Sequence, residues 1–181
     1  MALSTLPSLK KNHEDEKLRQ GEILVSTRPH TPHGGAVTAT AYLPISRTDL
    51  WQHLTHYPRW TEFFPDIFYS EVSHEVDARR KHILQKARKS FLVLNVEVEV
   101  QLYAYEMREK AIVFELDGTS TSFQDFSAEL QLKDFHHGTQ LSYSVQATSK
   151  IPIPALFIEQ AMKLDLPMNM RHLRQVLLSG A

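Results

Sequence analysis

From Leu92 to Ala104 an apolar residue stands at every second position. Leu92, Leu94, Val96, Val98, Val100, Leu102 and Ala104 fall on one parity, and Asn95, Glu97, Glu99, Gln101 and Tyr103 on the other. Successive side chains of a strand point to opposite faces, whereas a helix would scatter these apolar residues around its circumference. The segment predicts a long strand with one face in a core and one in water. The same period recurs at Ile112, Phe114 and Leu116, then at Phe126, Ala128, Leu130 and Leu132, and at Leu141, Tyr143, Val145 and Ala147. Asp117-Gly118 and His136-His137-Gly138 punctuate these runs as turns. Connections this short join antiparallel neighbours, so the expected sheet is a meander with a single wet face.

A sheet with one wide apolar face needs a cover. Upstream, Glu22 to Thr27 and Ala36 to Leu43 read as strands joined through the Pro- and Gly-containing stretch from Arg28 to Gly35, a hairpin. A helix is expected from Ser46 to His56, with Ser46 as N-cap, Asp49 three residues on, and Leu50, Leu54 and Tyr57 at helical spacing. Pro58 ends it, and an aromatic cluster of Trp60, Phe63 and Phe64 follows on a second short turn. Downstream, Pro152-Ile153-Pro154 opens a helix to about Leu178 with an apolar stripe of Ile158, Ala161, Met162, Leu166, Leu173 and Val176, kinked or split at Pro167. That helix is the element left to cover the sheet, and a long sheet gripping one helix leaves room between them.

The 181 residues suffice for one domain with a substantial core. We expect it over residues 21–181, after a polar, flexible tail over residues 1–20. Twenty basic residues against twenty-one acidic leave a formal charge of −1, so no overall field draws the chain to nucleic acid. The absence of cysteine excludes disulfides, thiol nucleophiles and thiolate metal sites. No run approaches the roughly 18 apolar residues of a spanning helix, and the start MALSTLPSLKKNHEDEK lacks the order of a secretory signal. The expected location is the cytoplasm, with peripheral membrane contact open.

Two stretches carry a family resemblance. The first is the apolar strand with LPISRTDLWQHLTHYPRWTEFFP; the second is IPIPALFIEQAMKLDLPMNMRHLRQ at the end. In order and spacing they resemble the superfamily of START-related, polyketide cyclase/dehydrase and Bet v 1-like proteins (SRPBCC), and the cyclase/dehydrase-like branch within it, over about Ala36 to Leu178. His56 departs from the pattern, standing where many relatives carry an aspartate before the tyrosine. The resemblance implies an α+β helix-grip fold: a curved antiparallel sheet wrapped around a long C-terminal helix, with two short helices after the first core strand. It also implies a hydrophobic cavity for a lipid, quinone, polyketide or similar molecule. Relatives include cyclases or dehydratases, carriers of apolar ligands, and a branch that acts on ribosomes.

The residues themselves offer little catalytic chemistry. Of the ten histidines, His53 with His56 and His30 with His33 pair loosely, but no HExxH or cysteine-bearing spacing exists to complete a metal site. Glu97, Glu99, Glu115 and Asp117 alternate with the apolar rows and read as solvated. Asp165, Asn169 and His172 share one helix face, which reads more readily as a wet side than as an acid–base set. Six glycines, none in a phosphate-binding pattern, complete a sequence from which no catalytic residue, metal or cofactor is expected.

The apolar set is the stronger candidate for a site. From the short helices and sheet it comprises Trp60, Phe64, Val96, Val98, Phe114, Phe126 and Tyr143; the terminal helix adds Phe157, Met162 and Asn169, and Met168 and Met170 lie nearby. These are the expected ligand-binding residues, with Tyr143 or Asn169 orienting the ligand. The stretches Ser90–Leu94 and Ile151–Phe157, edged by Lys86, Arg88, Lys89 and Lys150, are candidates for docking on a membrane or protein through Phe91 and Phe157. The expected function is binding or transport of a hydrophobic small molecule. The alternatives are a cyclase or dehydratase using His172, and a protein- or ribosome-interaction module.

Overall fold

Alternation on this scale does build one sheet. The computed structural model describes residues 6–91, 94–118, 122–150 and 155–179. Its strands are β1 (Leu24–Arg28), β2 (Gly34–Leu43), β3 (Ile67–Asp77), β4 (Arg80–Phe91), β5 (Leu94–Met107), β6 (Ala111–Leu116), β7 (Phe123–Phe135) and β8 (Gly138–Ser149). They lie in the order β1-β2-β8-β7-β6-β5-β4-β3, and every neighbouring pair is antiparallel. β2 pairs with β8 from Gly34↔Thr148 to Leu43↔Thr139, which brings the first core strand beside the last. β1 and β3 remain as edges, so the curved sheet does not close.

Strand β5 shows how parity sorts the faces. Val100, Leu102 and Ala104 are buried in the core, while Glu97 and Glu99 stay exposed on the other side. There they pair across to β4, Arg88 to Glu97 and Lys86 to Glu99, each at 2.8 Å. Exposed pairs of this kind add little stability; they keep the outer face wet and the register unambiguous.

The segment between β2 and β3 folds as helix α2 (Arg47–Leu54), a single 3-10 turn (Tyr57–Arg59) and helix α3 (Trp60–Phe63). Ser46 caps α2 as its sequence requires: its Oγ accepts the Asp49 backbone N–H at 3.0 Å and donates to the Asp49 carboxylate at 2.6 Å. Leu50 and Leu54 are thereby driven fully into the core. Trp60 is buried among Phe64, Phe114 and Tyr57, with ring centroids 4.8, 5.1 and 5.7 Å away.

Helix α4 (Ala155–Ser179) lies across the inner face of the sheet. It is continuous through Pro167 and is not split there. One missing backbone N–H is outweighed by the burial of Leu166, Met170 and Leu173 on either side. The arrangement is the helix-grip α+β fold.

The polar stretch at the N-terminal end, for which the sequence suggests no element, contains helix α1, Leu6–Arg19. Leu18 is only 2% exposed and anchors it, and Gly21 closes it. With φ of +88°, Gly21 donates its N–H to Leu18 O, and Glu22 donates to Lys17 O, both at 3.0 Å. This is the Schellman arrangement, which needs a residue in the left-handed region. The Arg174 guanidinium then donates to Gly21 O at 3.3 Å, tying the cap to α4.

Residues 92–93 and 151–154, central to the expected docking tips, lie outside the described residues.

Candidate ligand-binding pocket

Where α4 crosses the sheet, the two surfaces do not meet everywhere. Between them lies a pocket of about 220 Å³. Val98 and Val100 of β5, Phe126 of β7 and Tyr143, Val145 and Ala147 of β8 form its sheet wall. Ile158, Ala161, Met162 and Leu166 descend from α4, and Phe64, after α3, closes one side. Strand β4 contributes Gln85 and Ala87.

Of the ten residues expected to bind ligand, the structure brings six together here: Phe64, Val98, Phe126, Tyr143, Met162 and Asn169. Trp60 and Phe114 do not line the pocket. They pack against each other beside it, 1–2% exposed, and the Trp60 indole N–H is spent on Leu54 O at 2.9 Å. Val96 lies on β5 and Phe157 on the first turns of α4; their side chains are not among those described. Of the nearby methionines, Met168 turns to solvent and Met170 into the core. Sequence reading missed Gln85 and Ala87. Their signal was inward parity with Ile83, hidden by the charge of β4.

Most of this wall is hydrocarbon, and its polar groups are few. Asp165 and Asn169 sit one helical turn apart on the pocket face of α4, Asp66 lies after α3, and Ser122 and Ser149 mark one end. Gln85 is buried and donates one amide N–H to Ser70 Oγ at 3.2 Å. Tyr143 stacks at a tilt on Phe64, centroids 5.8 Å apart. Burial alone pushes its phenol above the usual tyrosine range. His172, by contrast, is not a lining residue. It leaves the face it shares with Asp165 and Asn169 and bonds through Nε2 to the carbonyl of Glu62, at 3.0 Å.

A second polar cluster sits near the other end of the inner face. Tyr57 donates its phenol O–H to Glu106 Oε1 at 2.8 Å, and the Lys81 ammonium reaches the same oxygen at 3.0 Å. Burial first, then the charge of Glu106 and the hydrogen bond to it, push the Tyr57 phenol far up. For both tyrosines the folded state holds the proton after the unfolded chain, at about pH 10, has released it. Their stabilising contribution is therefore complete below about pH 10 and is lost as pH rises above it, at up to about 1.4 kcal/mol per pH unit for each phenol. Urea melts between pH 8 and 11 should show this decline. Tyr57→Phe should make it shallower; an unchanged slope would mean that Tyr57 titrates normally.

Among the described residues no group of three or more His, Asp or Glu side chains is placed to hold a metal ion. Nor does any described helix combine the length and apolarity needed to cross a membrane.

The family model for polyketide cyclase / dehydrase and lipid transport matches residues 43–174. The chain belongs to this family. Its solved neighbours include a START superfamily protein from Mycobacterium smegmatis, with a TM-score of 0.70 at 11% identity, covering 81% of this chain and 99% of that one. The Zhui aromatase/cyclase from Streptomyces sp. R1128 follows at 0.63 and 12%, covering 82% and 93%. A STAR-related lipid transfer protein from Xanthomonas axonopodis superposes at 0.58 and 13%, covering 84% and 98%. At such identities the likeness speaks for the fold alone. No curated protein matches the chain in sequence.

Proposed function

We propose that this polyketide cyclase/dehydrase and lipid transport family member binds a hydrophobic small molecule in the pocket between its sheet and α4, as a carrier or sequestering protein. The observation that carries the proposal is the pocket itself, a space of about 220 Å³ walled by aliphatic and aromatic side chains from five strands, from α4 and from Phe64 after α3. A fully packed core would leave no such gap, since interiors tolerate few voids larger than a water molecule. Burial of ligand surface against this wall supplies affinity at roughly 25 cal/mol per Å². Tyr143 and Asn169 fix the ligand's orientation. A cyclase or dehydratase reading has less support, because His172, the acid it would use, is engaged with Glu62 O away from the pocket.

Native mass spectrometry of the purified protein, before and after organic extraction, tests the reading. A non-covalent mass that extraction removes, or that returns on incubation with a lipid, quinone or polyketide-like compound, is the expected result. Protein that never carries or takes up any such molecule would exclude a carrier role.

A further inference from the structure

The lining of the pocket bears on the charge and size of its ligand. Its side chains include two carboxylates, Asp66 and Asp165, and among the described residues no lysine, arginine or histidine. The remaining polar groups are uncharged: Tyr143, Asn169, Gln85, Ser122 and Ser149. A carboxylate or phosphate head brought against this wall would lose its hydration and meet no cation in return. A hydroxyl or carbonyl loses far less and finds partners. Asn169 can donate and accept, Gln85 keeps its carbonyl oxygen after donating to Ser70, and the Tyr143 phenol, in the sheet wall of the pocket, can do either.

Size narrows the choice further. An apolar cavity of about 150 Å³ holds one benzene ring, and drug-sized ligands take about 300–1,000 Å³. A pocket of about 220 Å³ lies between these. It suits two fused rings or a medium-length chain, and is too small to enclose a two-chain lipid.

Resting on the binding function proposed above, we infer that the pocket selects compact, uncharged molecules bearing a hydrogen-bonding oxygen, and rejects their anionic counterparts. Tyr143 is the specificity-determining residue that meets the oxygen. Anionic single-chain amphiphiles and phospholipids are then disfavoured by their charge, and a two-chain lipid also by the space enclosed.

Matched probes test this by calorimetric titration of the full chain at neutral pH. The first pair, 1-naphthol and 1-naphthoate, shares a ring system; the second, 1-octanol and octanoate, asks the same question of a flexible chain. The neutral member of each pair should bind at least tenfold more tightly. Tyr143→Phe should weaken 1-naphthol by about threefold to tenfold, the worth of one hydrogen bond, without changing the melting temperature of the free protein by more than a few degrees. Should Tyr143→Phe fold poorly, Asn169→Leu provides the same comparison from the helix side. Equal affinity within a pair, or tighter binding of the anion through a cation such as Lys150 beyond the lining, would overturn the inference and leave the carrier function standing. Failure of all four probes overturns the inference too, and extraction with mass spectrometry then decides whether any ligand is carried.

Discussion

Replacing Trp60 with alanine is expected to lower folding stability by about 3–5 kcal/mol, the range for a large aromatic removed from a packed core. The ring is 2% exposed and touches Tyr57, Phe64 and Phe114, which join the helical segment to the sheet. Truncation opens a cavity where these elements meet and strips Leu54 O of its indole donor. Chemical denaturation should show a lower midpoint with an unchanged slope. Ligand uptake by the fraction still folded should change little, because Trp60 lies beside the pocket and not in its wall. A loss under about 1 kcal/mol together with lost ligand binding would instead make Trp60 a ligand contact, as sequence alone suggests.

Glu106→Leu should be nearly as damaging, at about 2–4 kcal/mol. It strands the Lys81 ammonium, 21% exposed, and leaves the Tyr57 hydroxyl without its acceptor. Removing one partner of a fully buried ion pair costs about 3–5 kcal/mol; the residual exposure of this pair trims the figure. Adding Lys81→Met should recover much of the loss, since the unpaired charge then disappears. A double-mutant cycle measures this directly. If Lys81→Met and Glu106→Leu simply add, the two residues are not coupled and the geometry has been misjudged.

These two sites show what was legible in the sequence. The wall of Trp60 and Phe64 could be seen because large aromatics at close spacing must be buried somewhere. Whether each would face ligand or neighbour could not, because that depends on where β6 brings Phe114. Besides Phe64, five of the expected pocket residues could be found through strand parity and the face of α4 that carries Met162 and Asn169. Glu106 continues the inward parity of Val100, Leu102 and Ala104, yet at a strand end a glutamate passes as solvated; only its meeting with Lys81 and Tyr57 shows otherwise. Helix α1 escaped for a related reason. Its middle, Lys10 to Lys17, is wholly polar, and its stop signal, Gly21 in the left-handed region, stands out only once Leu18 is known to be buried.

The central claim is that the space beneath α4 is a binding site, and Ala161→Phe tests it most directly. Ala161 faces that space from the helix, so a phenyl ring there occupies much of the about 220 Å³ without adding a charge or removing a hydrogen bond. Wild type and variant, matched for thermal melt, should be compared by native mass spectrometry for molecules retained from expression and for uptake of 1-naphthol. We predict that the variant folds and that its occupancy falls at least tenfold. Equal occupancy of the two proteins would contradict the account and place the ligand somewhere other than between the sheet and its gripping helix.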